Sequence, residues 1–299
     1  MKCDLGAPFT KPIWGSDQML ARKATVDLDP AGEAGEGISV FLKDAAIRLR
    51  DPRADREGPL VFGIDLGTAT IVVTAIDQRG VPVYWDSLPC EAVRDGVIVN
   101  FGDAVTAVKR LKAAATKALG IEISSAATAF PPGVPSAEAR ACHYVLENAE
   151  ITCRALVDEV SAAQALLGVH DGAIVDVGGG STGVGIVSDG RIVALDDEPG
   201  GGHHLDLILA GALGIPIEEA ERRKRLGSED FSMILLPGIE RIASSILRQI
   251  AGRSANSLHL VGGAVRVANA AAIVSRFTQI PTTAYPHSEL VTPFGIAMS

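Results

Sequence analysis

Two stretches of the chain follow one plan. The apolar run Leu60-Val61-Phe62-Gly63-Ile64-Asp65-Leu66 passes through Gly67-Thr68-Ala69 into a second apolar run, Thr70 to Ile76. The run Ala173-Ile174-Val175-Asp176-Val177 passes through Gly178-Gly179-Gly180 into Ser181-Thr182-Gly183-Val184-Gly185-Ile186-Val187. Short apolar runs bounded by glycine turns predict buried strands, here paired as hairpins. Each hairpin leads to another turn and strand, at Asp77-Gln78-Arg79-Gly80 and at Ser188-Asp189-Gly190-Arg191, the latter with an Asp-Gly turn signal. The two aspartates stand 111 positions apart, a distance suited to a duplicated α/β lobe and too long for a solenoid repeat.

Apolar positions at helical spacing fill the intervals. In the first half they predict helices over 101–119, 136–148 and 161–167. In the second half they predict helices over 204–213, 216–225, 231–252 and 265–277, with a last helix over 293–297. Further strands are expected over 123–130, 155–157 and 258–261. The fold class is therefore α/β, with two related lobes and mixed sheets, because each repeat opens with hairpins rather than a βαβ crossover. The lobes are placed at 58–169 and 170–299, with the last helix able to pack back on the first lobe.

Residues 1–57 read differently. A Gly/Glu patch at 30–37 and a charged run at 50–57 have the composition of flexible linkers. Between them Ile38, Phe41, Leu42, Ala45 and Leu49 recur at helical spacing, predicting an amphipathic helix over 38–50. That helix either belongs to an extension, loose or docked on its own chain, or serves as a helix-in-groove docking peptide.

Composition narrows the picture. With 47% hydrophobic residues, 4% aromatics and 32 glycines, the 299-residue chain has the makings of alternating strands and helices rather than a β-sandwich. A net charge of −9 without a basic stripe argues against nucleic acid and anionic membrane as partners. The four cysteines are scattered, so neither a disulfide framework nor a zinc site is signalled. No apolar run is long enough to span a bilayer and no signal-peptide pattern opens the chain, so a cytoplasmic setting is expected.

The hairpins carry the candidate chemistry. Glycines let successive backbone N–H groups form a concave anion site, and Thr68 and Ser181 place hydroxyls beside it. Asp65 and Asp176 end the strands leading into the turns, where a carboxylate can hold hydrated Mg2+ through its waters. Two such hairpins across a cleft would clamp a polyphosphate. Either one alone could equally be a tight turn whose aspartate caps local amides. His203-His204 lacks further ligands nearby in sequence, so a metal site there is the lesser reading. Arg222–Arg225 is offset by Glu218, Glu219 and Glu221 and reads as a mixed helix face.

In these residues the chain resembles the actin-like ATPases, a superfamily that includes Hsp70 and MreB. Gly63-Ile64-Asp65-Leu66-Gly67-Thr68 resembles their first phosphate loop, and Asp176-Val177-Gly178-Gly179-Gly180-Ser181 the second. Leu156 to Ala163 resembles the connecting segment, Leu260-Val261-Gly262-Gly263-Ala264-Val265-Arg266 the adenosine turn, and Glu221 to Arg225 the helix that holds adenine and ribose. The resemblance implies a ribonuclease H-like fold of two lobes around a nucleotide cleft, with ATP and Mg2+ as cofactors. It implies that Asp65 and Asp176 order Mg2+ through water and that Glu159 helps orient the attacking water. It further implies that Gly67, Thr68, Thr70, Gly178, Gly179, Gly180, Ser181, Gly201 and Gly202 grip the phosphates. Glu221, Lys224, Gly262, Gly263 and Arg266 would surround the nucleoside.

Several positions depart from that pattern. Ala69 replaces a threonine, Val160 replaces the proline after Glu159, and Gly183 stands where Hsp70 keeps an aspartate. The spacing after Thr70 omits the insertion that carries Hsp70's catalytic lysine, and the path from Gly202 to Glu221 implies reduced outer subdomains. Weak ATP hydrolysis is the expectation.

Within the superfamily, residues 59–299 resemble the ethanolamine-utilisation EutJ family. The shared segments include Val93-Arg94-Asp95-Gly96-Val97-Ile98-Val99, Ala129-Phe130-Pro131-Pro132-Gly133 and Gly201-Gly202-His203-His204. The resemblance implies an Hsp70-like chaperone or assembly factor, with ethanolamine ammonia-lyase or microcompartment shell and cargo proteins as partners. It also implies association with a bacterial microcompartment. Alternatives are an MreB-like filament or scaffold ATPase and a small-molecule kinase, the last lacking a distinct signature for its catalytic aspartate and substrate pocket.

Overall fold

The structure is a computed structural model that describes residues 34–94 and 97–299. Its body is two sheets of matching topology. In the first, β1 (Val61–Leu66), β2 (Thr70–Ile76) and β3 (Pro82–Pro89) form an antiparallel meander. A short antiparallel strand pair follows, β4 (Val93–Arg94) with β5 (Val97–Ile98). Then β6 (Ser125–Phe130) and β7 (Thr152–Asp158) add in parallel, giving the order β3-β2-β1-β6-β7. The second sheet repeats this as β10-β9-β8-β11-β12, from β8 (Gly172–Val177), β9 (Ser181–Ser188), β10 (Arg191–Pro199), β11 (Leu258–Val261) and β12 (Thr282–Ala284).

Helices complete each lobe. α2 (Phe101–Leu119) and α3 (Ser136–Asn148) cover the first sheet. Val108, Leu111, Val145 and Leu146 pack there on Phe62, Ile64 and Ile71. The Asn100 side chain caps α2 by accepting from the Asp103 amide, and Gly120, at φ 70°, closes its C-terminus in the left-handed conformation. In the second lobe, α5 (Gly202–Leu213), α6 (Ile217–Leu226), α7 (Ser232–Gln249) and α8 (Ala270–Thr278) pack around Val175, Leu205, Leu235 and Ile246. The helix expected over 265–277 is interrupted. A single 3-10 turn, Ala264–Arg266, precedes Asn269, whose φ of 62° forbids continuous helix.

Between the lobes lie α4 (Glu159–Leu167) and α9 (Val291–Met298), which cross in close contact. A Cβ at Gly295 would sit 1.9 Å from the Ala162 carbonyl oxygen, so only glycine allows this crossing. α9 lies on β1, β2 and β6 of the first lobe. The structure starts α4 at Glu159, two residues before the expected 161, because the Asp158 carboxylate, not Ser161, caps it. Asp158 accepts from the Ser161 amide at 2.7 Å and from its hydroxyl at 2.5 Å.

The helix expected over 38–50 is α1, at Ala34–Ala46. It buries Ile38, Leu42 and Ala45 in a third core shared with Val160, Leu166, Ile174, Val261 and Phe294, so residues of both lobes meet beneath it. Phe41 packs edge-on to Phe294, with ring centres 5.4 Å apart. Beyond Ala46 the chain leaves the helix to pair with the free edge of β3. The Trp85 amide donates to Arg48 O at 3.2 Å, and the amides of Arg50 and Arg53 donate to Trp85 O and Val83 O, both at 2.9 Å. This pairing covers an open strand edge. The run 50–57, expected as flexible linker, is accordingly tied to the body. Arg50 pairs with Asp86 at 2.7 Å, Arg56 donates to Leu119 O at 2.8 Å, and Arg79 pairs with Glu57 at 3.0 Å. Of the Gly/Glu patch expected as flexible linker at 30–37, residues 34–37 instead begin α1, and the flexible reading of 1–33 lies outside the described residues. Among the described residues no helix is long and apolar enough to cross a membrane.

Candidate functional site

The β1–β2 and β8–β9 turns face each other. A Cβ on Gly179 would lie 3.4 Å from the Thr68 Cβ and 3.5 Å from the Ala69 Cβ, so the two glycine loops touch across the lobe boundary. Alanine in place of threonine at 69 leaves room for this approach. Thr70 begins the return strand, and its carbonyl oxygen would be 2.8 Å from a Cβ at Gly67. Ser181 closes the second loop by accepting the Gly178 amide at 3.0 Å.

Gly201 and Gly202 brace that second loop from behind. The amides of Gly202 and His203 donate to Gly178 O and Gly179 O, both at 2.9 Å, and the Gly200 amide donates to Gly180 O at 2.8 Å. A Cβ at Gly201 would meet Gly178 O at 2.4 Å. The first amides of α5 are thus occupied in shaping the loop that Gly178, Gly179 and Gly180 form.

Three carboxylates lie close together near the lobe boundary: Asp65 from β1, Asp176 from β8 and Glu159 from the first turn of α4. Burial, then the neighbouring Asp176, pushes the Asp65 carboxyl up to about 7. Burial, then the charges of Asp176, Asp65, Asp197 and Asp158, raises Glu159 well above the ordinary carboxylate range. Burial also raises Asp176, against a hydrogen bond from Thr292 that favours its ionised form. No ion pair among the described residues involves any of the three.

A divalent cation fits this donor set, since it would neutralise carboxylates that otherwise repel one another. The fit is for an ion held through its waters. Among the described residues, the one group of His, Cys, Asp or Glu with ligand atoms all within 4.8 Å of one another is the exposed His170, Asp171 and Asp189. His203 and His204 belong to no such group.

The remaining predicted residues divide. Gly262, at φ 91°, lies directly over the carboxylate, where a Cβ would be 2.5 Å from Asp176 Oδ1 and 2.4 Å from Val177 O. Gly263 follows at the head of the 3-10 turn, beside Glu289. Lys224 reaches back from α6 to Gly202, donating to its carbonyl at 2.8 Å while pairing with Asp206 at 2.7 Å. Burial lowers the lysine and raises the aspartate, so both sit in a poorly hydrated pocket. Glu221 and Arg266 instead engage protein partners, Arg225 at 2.6 Å and Glu289 at 3.2 Å.

Two residues near the carboxylates carried no signal in their sequence neighbourhood. Thr292 donates to Asp176 Oδ2 at 2.5 Å from α9. Asp197 is paired in register with Gly183 across β9 and β10, and its Oδ1 would be 3.4 Å from a Cβ at Gly183. A neighbouring strand therefore supplies a carboxylate where position 183 has none. Val160, the other departure, is buried, and its Cγ1 would lie 2.4 Å from a Cβ at Gly185.

Two duplicated lobes with mixed sheets, opposed glycine hairpins and carboxylates between them define the actin-like ATPase fold. In agreement, residues 89–210 match the family described as MreB/Mbl protein. The structure also superposes on MreB5 of Spiroplasma citri bound to ADP with a TM-score of 0.66 at 18% identity, covering 81% of this chain and 95% of that one. Stronger likeness is found elsewhere. Ethanolamine utilization protein EutJ of Salmonella typhimurium is 36% identical over 259 residues, 86% of this chain and 92% of its own length. The crystal structure of EutJ from Carboxydothermus hydrogenoformans aligns with a TM-score of 0.84 at 37% identity, covering 88% of this chain and 98% of that one. The chain belongs to the EutJ family.

Proposed function

We propose that the cleft binds Mg-ATP and hydrolyses it slowly, and that the nucleotide state alters a surface presented to partners in ethanolamine utilisation. The observation that carries this reading is three neighbouring carboxylates, with no ion pair to a basic side chain among the described residues, beside two opposed glycine loops. Such a group suits a cation that arrives with a polyanion. The MreB5 protein of this fold has been crystallised with ADP and with AMPPNP.

In this reading Asp65 and Asp176 hold the waters of Mg2+, which when bound would neutralise phosphate charge. The amides of Gly67 and of Gly178 to Gly180, with the hydroxyls of Thr68, Thr70 and Ser181, bind phosphate oxygens. Gly201 and Gly202 keep the second loop in shape. Glu159 helps orient the attacking water. Gly262, Gly263, Lys224, Glu221 and Arg266 line the nucleoside side. Lys224 is already engaged by Asp206 and Gly202, so it adds little charge at the reacting phosphate, in keeping with slow turnover.

The partner reading is a chaperone or assembly factor for ethanolamine ammonia-lyase or for microcompartment shell and cargo proteins, acting in the cytoplasm or at the microcompartment. The MreB/Mbl match supports a second reading as a filament or scaffold ATPase. Titrating a fluorescent ATP analogue into the wild type and Asp176→Asn tests the site, with at least tenfold weaker binding expected for the variant. Equal binding removes it. Nucleotide-dependent reactivation of inactivated ammonia-lyase supports the chaperone, and polymers that sediment only with ATP support the filament.

A further inference from the structure

The segment from Ser288 to Ala297 touches the Gly262 turn, the Asp176 carboxylate, strands β1 and β2 and helix α4. Its 3-10 turn, Ser288–Leu290, is bonded twice to the nucleoside turn: the Gly262 amide donates to Ser288 O at 3.1 Å, and the Ser288 hydroxyl donates to Gly262 O at 3.0 Å. In α9, the buried Thr292 donates its hydroxyl to Asp176 Oδ2 at 2.5 Å. The carbonyl of the next residue, Pro293, accepts from the buried Thr74 hydroxyl of β2 at 2.8 Å. Gly295 meets Ala162 of α4, and a Cβ at Gly63 of β1 would be 2.6 Å from the Ala297 amide. So α9 is seated on the first lobe, yet one of its side chains grips a carboxylate of the second.

We propose that Thr292 is a positioning residue for Asp176, and that through α9 it ties the orientation of this second-lobe carboxylate to the placement of the first lobe. This inference rests on the Mg-nucleotide reading above. A carboxylate oxygen that accepts a buried hydroxyl in a low-dielectric site is held in one rotamer by that bond. The other oxygen, Oδ1, lies against Gly262. Asp176 is therefore fixed from two sides, one of which moves with the first lobe. Separating the lobes must either break the Thr292 bond or turn the carboxylate. Cation retention and cleft closure are coupled by this contact, a differential interaction of the kind a two-state transition needs.

The test is equilibrium binding of a fluorescent ATP analogue with and without Mg2+, to wild type, Thr292→Val and Thr292→Ser. Valine keeps the shape and removes the hydroxyl, while serine keeps the hydroxyl and removes a methyl. Outer hydrogen bonds to metal-holding groups typically change metal affinity by about 10–100-fold. Thr292→Val is expected to bind the metal-free analogue as wild type does and to lose about tenfold or more of the affinity gained with Mg2+. Thr292→Ser is expected to retain most of that gain. Wild-type Mg2+ dependence in Thr292→Val overturns the proposal, as does equal loss in both variants, which would mark a packing effect. A wild type that binds the analogue without responding to Mg2+ overturns the role of Asp176 and this inference together. A wild type that binds no analogue overturns the nucleotide reading itself.

Discussion

Replacing Leu42 by alanine asks whether α1 is part of the folded body. The Leu42 side chain is fully buried, in a core it shares with Ile38 and Ala45 of its own helix, Val160 of α4 and Phe294 of α9. Truncating a buried leucine costs about 2–5 kcal/mol, more where the surroundings cannot collapse into the space. The walls here are helix and strand residues with little freedom to move, including Val160, Ile174 and Phe294. A loss near the middle of that range, about 3 kcal/mol, is expected. The assay is urea unfolding of the full chain in a Trp14→Phe background, which leaves Trp85 as the sole tryptophan. Trp85 is well placed as the reporter, since its indole N–H donates to Ala45 O at 2.9 Å, at the end of α1. Val40→Ala, at a side chain 66% exposed on the same helix, is the control and should stay within about 0.5 kcal/mol of wild type. If Leu42→Ala changes stability no more than Val40→Ala and leaves Trp85 emission unchanged, α1 does not contribute to this core.

Other consequences can be measured with the same chain. Lys224→Met should destabilise by about 3–5 kcal/mol, because it strands the buried Asp206 without its cation, and Lys224→Met with Asp206→Leu should regain most of that loss. Equal thermal stability of the single variant and wild type would contradict burial of the pair. Metal-free stability should also depend on pH through Asp65. Its carboxyl protonates near 7 in the fold and about 4 in the unfolded chain, so between these values the native state binds the extra proton. The contribution is therefore fully present below about pH 4 and is lost as pH rises through 7. Urea midpoints in chelator at pH 5 and 7.5 should fall more for wild type than for Asp65→Asn, and identical falls would refute the assignment.

The parts of this molecule that follow local rules are the parts its sequence displays. α2 occupies its expected 101–119 because Asn100 and Gly120 bracket it, and α3 its expected 136–148. The glycine loops and their aspartates are legible because each is contiguous and occurs twice. Where a tertiary partner competes with local preference, the reading shifts. α1 ends early because residues 48–53 find the β3 edge, and the helix before Phe277 breaks at Asn269. Thr292 and Asp197 are invisible to local patterning for the same reason. One reaches Asp176 across 116 residues, and the other depends on the register of a strand pair containing a bulge.

The overall charge of −9 takes on a more specific meaning once the carboxylates are placed. Asp65, Glu159 and Asp176 are raised by burial, and Asp65 and Glu159 also by neighbouring acids. A fold that gathers such groups, with no ion pair to them among the described residues, is less stable than one that separates them. A ligand that supplies positive charge at this place binds the native state and not the unfolded chain, and so recovers stability in proportion to its occupancy. Under the proposed Mg-nucleotide reading, the same groups would make closure dependent on the cation. Because α9 joins Asp176 to the first lobe through Thr292 and to α1 through Phe294, the relief of repulsion in the cleft has a mechanical route to the far side of the molecule. α1 rests at the end of that route, over residues from both lobes, which places this helix where a change in lobe angle would be felt.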